Sequence, residues 1–290
     1  MSQESEKRGI MGAILPKAKA PKVDPTASMS FLDHLEELRW RIIKGLGGLV
    51  FGVLVAFIFS DLIINQIILG PTSADFFMYQ IMPINAIDLE LLSRRLPGQF
   101  FTYWGSLIIA GIVIGSPIVF YQMYAFIEPA LESREKIKTY LNVMFITSFF
   151  LLGISFGYFI LVPFALQFFT QFVISDVIIN QFDITEYFSS VAMWVLACGI
   201  LFQIPVVSYF FSKAGMLTPE FLRAYRRQAI IVCLLLSAFL TPPDPVSQMM
   251  IAFPLVLLYQ LAIVVSRIAN RQRKEILEQA LSEDGNSSGS

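Results

Sequence analysis

Ser106 to Phe120 reads SLIIAGIVIGSPIVF, fifteen residues with no charge and no alternation of polar and apolar positions. A soluble helix would keep a polar face at a 3.6-residue period and a half-buried strand would alternate, so this run is apolar on every side. Three more runs of the same kind follow the pattern outward along the chain: Phe51 to Phe59, Phe145 to Leu161 and Ile251 to Val265. The whole chain of 290 residues is 56% hydrophobic with a mean hydropathy of +0.66. Typical soluble domains hold about 45–50% apolar residues. The excess, gathered into runs, predicts an all-α integral membrane protein.

Six spans are predicted, at about 45–64, 101–127, 142–170, 188–212, 228–240 and 246–266. The net charge of −1 decides nothing, because orientation follows where Lys and Arg stand relative to the spans. Eight of them precede the first span. The second connection holds Arg134, Lys136 and Lys138, the fourth holds Lys213, Arg223, Arg226 and Arg227, and the C-terminus holds Arg267, Arg271, Arg273 and Lys274. Only Arg94 and Arg95 fall in the odd-numbered connections, so the bias is nineteen against two and predicts both termini in the cytoplasm. Residues 1–29 are polar and carry no secretory leader pattern, and they are expected to be a flexible cytoplasmic segment. Residues 30–270 form the membrane domain and 271–290 a flexible cytoplasmic tail.

Glycines four apart, Gly48 with Gly52, Gly111 with Gly115, and Gly153 with Gly157, predict helix pairs in backbone contact. Pro117, Pro163, Pro205 and Pro254 fall inside spans and predict kinks, hence a curved, concave bundle. The fifth and sixth helices are expected to be short. The fifth apolar stretch, Gln228 to Leu240, has 13 residues before Thr241-Pro242-Pro243-Asp244-Pro245 stops it. At 1.5 Å per residue it covers about 20 Å of a hydrocarbon core about 30 Å thick. Cys198 and Cys233 both lie in apolar runs and read as small packing residues.

Enzyme chemistry finds no material. His34 is the single histidine, no His/Cys cluster exists, and no span serine or threonine has a base near it in sequence. No cofactor and no metal are called for. The acids beside the spans are more informative. Asp33, Glu37 and Arg41 stand four apart on a helix opened by Ser30, and Glu128, Glu132 and Glu135 crowd the second connection next to Arg134.

Four strings occur in order: SFLDHLEELRWR at Ser30 to Arg41, YQMYAFIEPALESRE at Tyr121 to Glu135, DITEYFSSV at Asp183 to Val191, and TPPDPVSQMMIAFPLVLLYQ from Thr241. In this order between these spans, the chain from about Ser30 to Arg267 closely resembles the multispanning receptor subunit of the twin-arginine protein translocase, the TatC family. The resemblance implies a non-enzymatic subunit that binds twin-arginine signal peptides of folded precursor proteins at the cytoplasmic face of a cell inner membrane. It also implies recruitment of small single-span partners of the TatA/TatB type into a multimeric complex driven by the protonmotive force.

Carried over position by position, the resemblance places the two signal-binding acids on Glu37 and Glu135. A guanidinium is a planar, always-charged fork that pairs bidentately with a carboxylate, so two arginines suit two acidic anchors. Phe126 matches an aromatic of the same patch, and Arg39 and Arg134 are expected to orient the acids. Gln203 stands where several family members carry a glutamate, which keeps a hydrogen-bonding group for an intramembrane or partner contact without the charge. Tyr158 and Asp244 match positions used in signal insertion or assembly. The alternative from another class is a secondary transporter or channel with a midplane site; it predicts related halves and a deep ionisable residue, and neither is seen.

Overall fold

The computed structural model describes residues 31–82, 85–128, 136–175, 177, 180–240 and 245–287. Residues 1–29 and the expected site residues Arg134, Glu135 and Asp244 lie outside them. The chain divides into two compact units, Met1–Arg39 and Trp40–Ser290. Of the first, the described part is the opening of helix α1 (Phe31–Ile58), where Arg39 comes within 4.0 Å of Glu36 one turn before it.

In the second unit, α1 passes into a π-helical turn at Leu62–Ile68 and a short turn at Gly70–Thr72, then α2 (Phe77–Ile81) and β1 (Leu91–Leu92). Helix α3 (Gly98–Ile127) and helix α4 (Lys136–Phe156) follow; a second π-helical turn, Gly157–Leu161, leads into α5 (Val162–Gln171). After β2 (Phe182–Asp183) come α6 (Ile184–Leu201), α7 (Ile204–Lys213), α8 (Pro219–Ala224), α9 (Arg226–Leu240) and α10 (Pro245–Ser287). Among the described residues, five segments are long and apolar enough to cross a membrane: His34–Ile58, Gly98–Ile127, Thr139–Gln171, Ile184–Lys213 and Ile251–Glu275. Leu46, Val50, Leu54 and Ile58 on α1 stay exposed, as side chains facing lipid do.

The glycine pairs do what their spacing predicts. A Cβ on Gly115 would stand 2.6 Å from the Gly48 carbonyl oxygen, and one on Gly52 would strike the backbone of Gly111 and Gly115, so α1 and α3 meet backbone to backbone. Phe57 stacks on Trp104 further along the same seam. A Cβ on Gly153 would stand 2.6 Å from the Cys198 carbonyl oxygen and one on Gly157 2.9 Å from the Val195 Cα, which seats α4 against α6. In lipid, where apolar burial drives little, such close contacts supply the dispersion that holds helices together. The main core gathers Leu161, Val162, Trp194, Cys198, Ile251 and Leu255 from the second π-helical turn, α5, α6 and α10. Cys198 and Cys233 are buried and unbridged.

Four features depart from expectation. The span predicted at 188–212 is two helices, α6 and α7, interrupted at Phe202 and Gln203 just before Pro205, which sits in the first turn of α7. Pro163 likewise opens α5, where its missing N–H needs no partner; of the four span prolines, Pro117 and Pro254 lie inside helices. The architecture is not wholly helical, since β1 and β2 pair in parallel as Leu91 with Phe182 and Leu92 with Asp183. The last helix is not short: α10 runs 43 residues, through the segment expected to be a flexible tail, as far as Ser287. Its polar part is rich in Glu, Gln, Leu, Ala, Lys and Arg, good helix formers, and Arg271 bonds Glu275 one turn on at 2.9 Å.

Near the start of that extension, Asn270 donates to the Leu217 carbonyl (3.0 Å), and the Arg273 guanidinium lies where any side chain on Gly215 would stand. Gly215 has φ of 79°, a left-handed turn that glycine adopts without strain. The bond and this close approach together seat α10 against the connection between α7 and α8.

Candidate functional site

The second expected string ends α3 and runs toward α4. Its last described residues form a tied junction: Tyr124 is buried with its ring 5.5 Å from that of Phe210, and Asn142 of α4 donates to its hydroxyl at 2.7 Å. Glu128 caps the end of α3 and accepts a hydrogen bond from Thr139 of α4. Both bonds tie the end of α3 to the first turns of α4. Phe126 is half-buried in the last turn of α3, beside this junction. Sequence reasoning missed Asn142 and Thr139; the available signal was a polar amide near the start of an otherwise apolar run.

In the first unit Glu37 is half-buried on α1, and Arg39 is largely exposed near Glu36.

Gln203 lies at the break between α6 and α7. Its amide nitrogen donates to the Ile146 carbonyl of α4 at 3.3 Å, a bond across two spans rather than to its own helix. An ionised carboxylate has no hydrogen to offer that carbonyl; the amide does. Tyr158, in the π-helical turn before α5, donates to the Ile67 carbonyl at 2.6 Å and packs edge-on against Phe76. It is one of three. Tyr187 of α6 donates to the Ile68 carbonyl at 2.7 Å and Tyr79 of α2 to the Pro71 carbonyl at 2.6 Å. Burial pushes the Tyr79 phenol up to about 12, so it stays a donor at any physiological pH. The three hydroxyls hold the end of the first π-helical turn, far in sequence from Phe126.

At that same end, Asp183 ties the first and third connections. Its two oxygens accept from the N–H of Arg94 (2.9 Å) and of Thr185 (2.8 Å), the second as the N-cap of α6. The Arg94 side chain adds a bond to Gln181 at 2.9 Å. The Arg94 and Thr185 amides hold the Asp183 carboxyl below its ordinary value.

The family described as Sec-independent protein translocase protein (TatC) matches residues 33–254. Among relatives of the same description, the protein of Blattabacterium sp. subsp. Periplaneta americana is 32% identical over 259 residues, covering 84% of this chain and 97% of its own. Sec-independent protein translocase protein TatCy of Bacillus subtilis is 33% identical over 248 residues, covering 85% and 92%. A crystal structure of the twin arginine translocase receptor TatC superposes with a TM-score of 0.65 at 32% identity, over 81% of this chain and 99% of that one. A second, in the detergent DDM, gives 0.68 at 31% identity. The chain belongs to the TatC family of Sec-independent protein translocase proteins.

Proposed function

We propose that this translocase subunit is the receptor for twin-arginine signal peptides, with six spans, both termini in the cytoplasm of a bacterial cell and no catalytic chemistry of its own. The observation that carries the reading is the placement of Glu37 and Glu135 in SFLDHLEELRWR and YQMYAFIEPALESRE, the two family strings that the positive-inside count assigns to the cytoplasm. In this reading the two carboxylates each hold one guanidinium. Phe126 receives the apolar residues after the arginine pair, and Arg39 and Arg134 orient the acids. The bonds of Glu128 with Thr139 and of Asn142 with Tyr124 support it, because they tie together α3 and α4, the two helices between which Glu135 stands in the sequence.

Small single-span subunits of the TatA/TatB type would bind beside α9. That helix has 15 residues, about 22 Å of rise, and exposes Ile231, Leu235 and Phe239 in one stripe. A fifth crossing this short would thin the bilayer locally. Asp244, Tyr158 and Gln203 would serve assembly or signal insertion. The test is the purified protein with a signal peptide carrying paired arginines and the same peptide with paired lysines. Lysine is a point charge without the fork, so the reading expects binding of the first and loss of the second; equal binding of both would remove the basis for the acidic pair.

A further inference from the structure

We propose that the cavity between α3, α6 and the π-helical turn of Leu62–Ile68 is a binding site for a small cluster of water molecules, which carries solvent into the spanning part of the bundle. The inference is independent of the signal-peptide reading. The cavity holds about 190 Å³, with Ile68 and Phe188 among its apolar walls. Its polar side chains are Gln99, Thr102, Tyr103, Ser106 and Tyr187. Thr102 is the informative one: it is 7% exposed, and its hydroxyl meets no protein partner. A buried hydroxyl of that kind in native protein calls for a ligand that can hydrogen-bond.

The neighbouring groups define which ligand. The Ser106 hydroxyl donates to the Thr102 carbonyl at 2.7 Å and the Tyr187 hydroxyl to the Ile68 carbonyl at 2.7 Å, so each oxygen keeps acceptor capacity. The exposed Gln99 amide offers both donor and acceptor. No charged side chain lines the walls, which disfavours a phosphate or a metal ion. A neutral ligand that donates and accepts in several directions fits. Water takes about 30 Å³ and needs two to four polar partners, so the volume exceeds the need of a few molecules. From Gly98, where α3 begins, to Ser106 the helix rises about 12 Å, against a hydrocarbon core of about 30 Å. Solvent at Thr102 and Ser106 therefore lies well inside the helix end, at a seam of three segments.

The experiment uses the full chain in lipid nanodiscs and the charged thiol reagent methanethiosulfonate ethylammonium. Thr102→Cys and Ser106→Cys are compared with Ile108→Cys, a position on the same helix that is 49% exposed toward lipid. The buried native Cys198 and Cys233 set the background. Because the ionised thiolate reacts, and needs water to form, the two cavity positions should react at least about tenfold faster than Ile108→Cys. Size-exclusion profiles identify folded variants; Ser106→Cys, nearly isosteric, carries the test if Thr102→Cys does not fold. A cavity that is dry or filled by an acyl chain would leave the folded cavity variants as slow as Ile108→Cys, and the proposal would be wrong.

Discussion

The Ser212 hydroxyl donates to the Ser266 hydroxyl across 2.6 Å, with both side chains wholly buried between α7 and α10. Two small residues facing one another bring the backbones close, and the shared hydrogen bond satisfies both where no water reaches. Replacing one leaves the other buried without its partner, at a cost of about 1 to 3 kcal/mol, whereas replacing both removes the need. Ser212→Ala and Ser266→Ala should therefore each lower the melting temperature in detergent, and the double variant should lose less than their sum. Strict additivity would show that the pair is not coupled.

The tyrosine hydroxyls at the end of the first π-helical turn give an ordered series. Tyr79 and Tyr187 are buried and serve the Pro71 and Ile68 carbonyls, while Tyr158, which serves the Ile67 carbonyl, is only half-buried. Phenylalanine at 79 or 187 should cost about 1 kcal/mol or more, and phenylalanine at 158 less. Signal-peptide affinity should not change with phenylalanine at 79 or 187, whose hydroxyls serve only the backbone of the turns that follow α1. A thermal melt and a binding titration on each variant check both halves.

Asp183 sets a pH dependence whose sign follows from its bonds. The native amides favour the charged carboxylate, so its pKa in the folded state lies below the ordinary value of 3.8. The stabilisation is therefore complete above that value and is lost as pH falls through the lower, folded-state one. Melting should be insensitive to this group from pH 5 to 8, roughly, and fall below about pH 4. Asp183→Asn, which loses the charge but keeps one acceptor oxygen, should melt lower at neutral pH and show a smaller acid-induced drop. An unchanged acid profile in the variant would assign that drop to other groups.

Much of the fold was legible because its signals are local. Gly48, Gly52, Gly111 and Gly115 announce a close helix seam by spacing alone, and the structure puts them in backbone contact. The break at Phe202 and Gln203 was half legible: Pro205 marks the place, but the bond from Gln203 to the Ile146 carbonyl joins residues 57 apart and has no sequence signature. Two-residue strands such as Leu91–Leu92 are too short to show alternation, so their pairing with Phe182–Asp183 was invisible. The polar C-terminal segment reads as a flexible tail by composition, yet its helix formers and the Arg271–Glu275 bond carry α10 on. Of the candidate signal-binding residues, the strings alone named Glu37 and Phe126. The bracing bonds of Thr139 and Asn142 depend on how α3 and α4 approach, which only the fold provides.

The central claim is that Glu37 and Glu135 hold the two arginines of the signal. Both acids fall outside the spans predicted from the sequence at 45–64, 101–127 and 142–170, so alanine at either position is expected to leave insertion and folding intact. A charge-assisted hydrogen bond contributes about 1.5 to 3 kcal/mol, which corresponds to a loss of roughly tenfold to more than a hundredfold in affinity for each single variant. Lysine at either position should be worse than alanine, because repulsion adds to the lost contact. The direct measurement is the dissociation constant of a twin-arginine signal peptide for wild type, Glu37→Ala, Glu135→Ala and the double variant, in detergent at physiological salt. The account predicts that each single variant weakens binding by at least about tenfold and that the double variant falls short of the product, because the two acids act on one pair of guanidiniums. Wild-type affinity in both single variants would place signal recognition elsewhere on the protein.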